Sequence, residues 1–186
     1  MLNHGENDMT TKESIQKAFC ELYAKKEYNC MTVKEVCLKA PVTRTTFYSY
    51  YQNIDEVKNE IENNLISGIT QIALNLSKGN METLDFSLFL SQTMDYVQKN
   101  RKEIYLFLIT QPNARFIVKW KKAIKKHFHL RFPEKTNLSN YELISETVAS
   151  GVIGAYSYWL KNPDKVDSDK LNHIVVSMLG HIAQSL

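Results

Sequence analysis

Apolar positions recur every three or four residues along almost the whole of this 186-residue chain, which is the spacing of one helical face. Ile15, Ala18, Phe19, Leu22 and Tyr23 predict a first helix, opened by Thr10 with Glu13 and closing near Lys25-Lys26. Tyr28-Asn29-Cys30 reads as a loop. Val33, Val36, Cys37 and Ala40 predict a short second helix. Thr32 with Glu35 at its start matches the reciprocal cap, in which a side-chain oxygen takes an orphan N–H and the glutamate reaches back. Pro41 stops this helix, because proline lacks an N–H and moves the preceding residue out of the α region. Thr43 is a candidate N-cap for a third short helix over R-T-T-F-Y, and Asn53 with Glu56 repeats the capping box before a fourth.

That fourth pattern is the longest: Ile54, Val57, Ile61, Leu65, Ile69, Ile72 and Leu76, with Gly68 inside it as a possible kink. The first clear break is Ser77-Lys78-Gly79-Asn80. From Asp85 to Asn100 the apolar set is Phe86, Phe89, Leu90, Met94 and Val97. Ile104 to Ile109 is nearly all apolar and is expected to be buried on most sides. Gln111-Pro112-Asn113 ends it. The next helix sets Phe116, Ile117, Trp120, Ile124 and Phe128 against lysines, and Phe132-Pro133 closes it. Ser139 or Asn140 caps a long helix to Lys161. Asn162-Pro163-Asp164 stops that one, and Ser168 to Gln184 supplies the last. With no strand pair or internal repeat, the expectation is an all-α fold of about nine helices. Residues 10–65 form one domain and 66–186 a larger one.

Two short helices joined as tightly as those around Pro41 form a helix-turn-helix, whose second helix enters the DNA major groove N-terminal end first. With Phe47 and Tyr51 turned inward, Arg44, Thr45, Tyr48 and Ser49 face outward. Free N–H groups and the dipole at a helix start attract phosphate, and the Thr43 and Thr46 hydroxyls can add contacts. The planar fork of Arg44 suits a guanine edge.

The run T-V-K-E-V-C-L-K-A-P-V-T-R-T-T-F-Y-S-Y-Y, followed by N-I-D-E-V, resembles the N-terminal domain of TetR-family transcriptional regulators over roughly Thr10 to Leu65. The Q-N-I-D-E-V ending resembles a sub-branch that includes dihydroxyacetone-kinase activators. Pro41 stands where the family usually has glycine, and Ile54 where a phosphate-contacting lysine is common. The resemblance implies a DNA-binding set of Lys34, Thr43, Arg44, Thr45, Thr46, Tyr48, Ser49 and Tyr50. In it Tyr48 is the phosphate-contacting tyrosine, and Tyr50 stands where many members have histidine. It also implies a homodimer paired through the last two helices, on a near-palindromic operator, under a small-molecule effector. Repression is the commoner outcome in the family. The alternative is an all-α adaptor that keeps the fold and binds a protein instead of double-stranded DNA.

Composition adds little. Hydrophobic residues make up 44% and the net charge is only +3, so charge placement, not total charge, carries any electrostatic argument. Cys20, Cys30 and Cys37 form no metal or C-x-x-C spacing and read as core thiols of a reducing cytoplasm. His127 and His129 diverge on their helix, and His173 and His181 are two turns apart, so no metal site is expected. No catalytic motif and no cofactor motif is present, which argues against an enzyme. The polar start M-L-N-H-G-E-N-D, expected to be a disordered lead, has no signal-peptide run, and no apolar stretch is long enough for a membrane span. The basic run K-W-K-K-A-I-K-K-H-F-H reads as a solvated face. Phe89, Met94, Tyr105, Phe116 and Trp120 are candidates to line an effector cavity. Gly151 and Gly154, with Tyr156 and Trp159, are candidates for the dimer interface, close packing within one subunit being the rival reading.

Overall fold

The computed structural model describes residues 10–77, 86–131 and 140–184, and among these the chain is all-α. The predicted lead before Thr10, the break at 78–80, the stop at Phe132-Pro133 and a cap from Ser139 lie outside the described residues. Two compact units divide the chain, residues 1–63 and 64–186.

In the first unit, α1 spans Thr11–Tyr23, α2 Val33–Lys39 and α3 Arg44–Tyr50, with the opening turns of α4 (Ile54–Ser77). Both predicted capping boxes form: Thr10 with Glu13 and Thr32 with Glu35, each with the reciprocal pair of bonds. The third box is stretched by one residue. Asn53 accepts from the Glu56 N–H at 3.0 Å, but the Glu56 carboxylate reaches past it to the Gln52 N–H at 2.7 Å. Ile15, Phe19, Val36, Phe47 and Val57, all fully buried, form the centre of this unit, and α1 packs on α2.

The second unit holds the rest of α4, α5 (Phe86–Lys99), α6 (Arg101–Tyr105), α7 (Ala114–Arg131), α8 (Tyr141–Lys161) and α9 (Ser168–Gln184). α7 packs on α8, α8 on α9, and α9 on α5. Gly68 does not break α4; it is where the Tyr96 ring lies against that helix, and any Cβ there would overlap the ring. The buried apolar positions of α4, Val57, Ile61, Leu65, Ile69 and Ala73, step by four residues, so Ala73 takes the place expected for Ile72.

The apolar run after Ile104 departs from a regular helix. Leu106–Thr110 forms a wide π-turn, closed by Gln111 N–H to Leu106 O at 2.9 Å. The wider turn lets three consecutive residues, Leu106, Phe107 and Leu108, point inward. It packs against both α7 and α8. α7 is then capped by Asn113, whose side-chain oxygen accepts from Arg115 N–H and Phe116 N–H. Asn140 stands at the start of α8 without capping it through its side chain.

Candidate nucleic-acid interface

The geometry of α3 is set by its two ends. At the start, Thr43 is extended and accepts from the Thr46 N–H at 3.0 Å, an N-cap. The two threonine hydroxyls also bond each other at 2.8 Å. Whichever donates, one hydroxyl proton of the pair is left for an outside acceptor. Ser49 spends its proton on the Thr46 carbonyl at 2.7 Å. At the other end Tyr51 is buried, its ring against Phe47 and beneath the Lys12 ammonium. Its hydroxyl accepts from the Gln16 amide at 2.9 Å. Burial pushes the Tyr51 phenol up to about 12, so it stays neutral and keeps α3 tied to α1.

With Phe47 and Tyr51 inward, the opposite face is open. Arg44, Thr45, Tyr48, Ser49 and Tyr50 are exposed, Tyr48 by 56%, as is Thr43, while Thr46 is half-buried under its cap bonds. Lys34 is exposed on α2. Charge pairing in this unit is uneven. Lys12 pairs with Glu60, Lys26 with Glu35 and Lys39 with Glu21, all within 2.9 Å. Among the described residues Lys34 and Arg44 form no ion pair. Arg44, the first residue of α3, therefore stands without an ion pair among the described residues where the N–H groups and dipole of the helix already favour anions.

The turn between α2 and α3 is unusual. Val42 N–H bonds to the Cys37 carbonyl at 3.0 Å, the long bond of a Schellman helix end. The companion bond would come from the N–H of residue 41, which proline lacks. The motif also asks that residue for positive φ, and Pro41 sits at 22°, far from the roughly −65° its ring prefers. The turn keeps the shape a glycine would give it, at the expense of strain at Pro41. Cys37, buried beneath the turn, points its thiol at the Thr43 carbonyl at 3.9 Å, and burial pushes that thiol up, keeping it protonated. Ile54 is half-buried at the start of α4 and offers no charge to a phosphate.

The other candidates are placed less uniformly. Phe89, Met94, Phe116 and Trp120 are interior, but Tyr105 is 37% exposed and does not face the core. The π-turn begins just after it and turns the next three residues inward instead. A cleft of about 520 Å³ between α7 and α8 is lined by none of these five, but by Ile117, Val118, four lysines, His129, Tyr141, Glu142, Ser145 and Glu146. Lys121 and Lys125 cross its floor to Glu146 and Glu142. Tyr156 and Trp159, expected at a dimer interface, are 2% and 5% exposed and belong to their own subunit's core. Gly151 faces Met178 on α9 of the same chain, whereas a Cβ on Gly154 would meet nothing within 4 Å. The outward side of α8 is Leu143, Thr147, Ser150, Gly154 and Tyr158, with Ile174 and Ser177 exposed on α9. The repeat at 143, 147, 150, 154 and 158 is a helical stripe that a face-by-face reading of α8 would have found. No metal-holding cluster of His, Cys, Asp and Glu occurs among the described residues, and none of their helices is long and apolar enough to cross a membrane.

A TetR family model, described as the transcriptional regulator C-terminal region, matches residues 85–181. The DhaS transcriptional activator of the dhaKLM operon in Lactococcus lactis is 24% identical over 140 residues, covering 73% of this chain and 75% of that protein. Among solved structures, a TetR transcriptional regulator from Streptococcus agalactiae has a TM-score of 0.67 at 22% identity, over 90% of this chain and 92% of that one. The fatty acid degradation regulator FadR from Bacillus halodurans also reaches 0.67, at 14% identity, over 96% of each chain. The chain belongs to the TetR family of transcriptional regulators, and is a regulator, not an enzyme.

Proposed function

We propose that this regulator binds double-stranded DNA as a cytoplasmic homodimer, placing α3 of each subunit in successive major grooves of a near-palindromic operator. Residues 10–65 would read the DNA; 66–186 would carry dimerisation and effector binding. One observation carries the reading: a short capped helix presents Arg44, Thr45, Tyr48 and Tyr50 outward, with Arg44 and Lys34 forming no ion pair among the described residues. Arg44 is assigned to a base edge, and Lys34, Tyr48, and the Thr43–Thr46 pair to phosphate. A small-molecule effector that favours one spacing of the two α3 helices over another would then set operator occupancy. Repression follows from occupying a promoter. Activation is the second reading, favoured by the name of the Lactococcus lactis relative.

For dimerisation the outward stripe of α8 with Ile174 of α9 is the candidate surface, since Leu143, Tyr158 and Ile174 are 70%, 54% and 54% exposed. Sedimentation of Tyr158→Glu and Ile174→Asp should show monomer where the parent is dimer.

Selection from random duplex DNA, followed by fluorescence anisotropy at two salt concentrations, tests the whole. Binding should weaken steeply with salt. Arg44→Ala should lose about 1–3 kcal/mol on the selected sequence and much less on random DNA. Tyr48→Phe should weaken both alike. Absence of affinity even at low salt would leave the adaptor reading in its place.

A further inference from the structure

The bonds that cap α2, α3 and α4 are local. Thr32 with Glu35, Thr43 with Thr46 and Asn53 with Glu56 each span three residues, and Ser49 reaches the Thr46 carbonyl over the same separation. Such bonds shape a helix end without fixing where the helix points. One bond differs in kind: the Gln16 amide of α1 donates to the Tyr51 hydroxyl at 2.9 Å, across 35 positions of the chain. Tyr51 closes α3 and is 3% exposed, so its hydroxyl is carried into the packed face of the unit. A phenylalanine ring would fill nearly the same space without that oxygen, and burying a hydroxyl is costly unless it is bonded. The oxygen adds direction rather than filling.

Gln16 stands on a firm base. Lys12, one turn before it on α1, pairs with Glu60 of α4 at 2.7 Å, and its ammonium lies 5.7 Å from the centroid of the Tyr51 ring. Burial, the largest cause, holds the phenol at about 12, the Gln16 amide opposing the rise and the Glu60 carboxylate adding to it, so the hydroxyl stays protonated at neutral pH. The apolar part of the seat directs less. The Phe47 and Tyr51 rings lie 5.9 Å apart on one face of α3, and contact between rings lets a helix rock where a hydrogen bond weakens on bending. A lever arm makes rocking matter. Arg44 is about 10 Å along the helix from Tyr51, so a tilt of about 10° at Tyr51 moves it by about 2 Å. A paired contact to a base edge tolerates about 0.5 Å, while a flexible lysine or a rotating threonine hydroxyl can follow a phosphate through such a shift.

We propose that Gln16 is a positioning residue for DNA reading: through the Tyr51 hydroxyl it sets the pitch at which α3 presents Arg44 to a base edge. This rests on the reading of α3 as the helix that enters the groove. Two measurements on the whole protein test it. Without DNA, nitrogen relaxation should show the α3 amides more mobile in Tyr51→Phe and in Gln16→Leu than in the parent, with the α2 amides unchanged. With DNA, anisotropy should show each variant about tenfold weaker on the selected duplex and less than about twofold weaker on an unrelated one. The thermal midpoint should stay within about 4 °C of the parent. Combining the two substitutions should cost no more than either alone. Arg44→Ala should cost much less in the Tyr51→Phe background than in the parent, because an arginine already off its base edge has little left to lose. Unchanged α3 amides would overturn the proposal and leave the DNA reading intact. A parent that binds neither duplex would overturn that reading and the proposal with it. Equal losses on both duplexes, or an Arg44→Ala cost that simply adds to that of Tyr51→Phe, would leave Gln16 a structural role only and sink the proposal.

Discussion

At the start of α3 nearly every polar side chain faces water, and the cap threonines and Ser49 are engaged within three residues. Along the α7–α8 seam the Trp120 Nε1–H and the Tyr156 hydroxyl are buried and engaged with nothing among the described residues. In the first region local chemistry completes the structure and leaves the charges of Lys34 and Arg44 over; in the second, packing completes the structure and leaves hydrogen-bonding capacity over.

Four changes would break or sharpen that contrast. Phe47→Ala removes the side chain on which α3 is seated and should destabilise the first unit by about 3–5 kcal/mol, abolishing DNA binding in a filter or anisotropy assay. Pro41→Gly relieves the positive φ and restores the missing N–H, and should raise stability by about 1–2 kcal/mol in urea titration. If it instead lowers stability, the strain assigned to Pro41 is wrong. Gly68→Ala should cost about 1 kcal/mol because the Tyr96 ring must swing away, but should stabilise by a similar amount in a Tyr96→Ala background, where only helix propensity remains. The smallest effect is on pH. A hydrogen bond from Lys26, then Thr32, holds the Glu35 carboxyl below its ordinary 4.5, and Lys39 does the same for Glu21. A lowered folded value contributes stability that is present above 4.5 and is lost as pH falls below 4.5 through the lowered folded value, so the unfolding midpoint should drop on acidification below 4.5. The double variant Glu21→Gln, Glu35→Gln should flatten that drop.

The same division governs what a reader of the chain can foresee. Caps at Thr10, Thr32 and Thr43 and the inward pair Phe47 and Tyr51 depend on residues within a turn or two, and each is legible in the one-dimensional pattern. The placement of Tyr105, Tyr156 and Trp159 is not, because it depends on which neighbour each helix face meets. A π-turn adds to the difficulty. It shifts the register after Tyr105, so a count at 3.6 residues per turn assigns the wrong side chains inward. Gly154 shows the complementary limit: small residues announce a close approach, but only the coordinates separate Gly151, which meets Met178, from Gly154, which meets nothing.

That last difference reaches beyond the single chain. A helix laid across α8 at Gly154 would come up against main chain with no carbon projecting from it, flanked one turn away on either side by Ser150 and Tyr158. Its depth of approach would be fixed by a missing methyl group, and its angle by the tyrosine ring it must lean on.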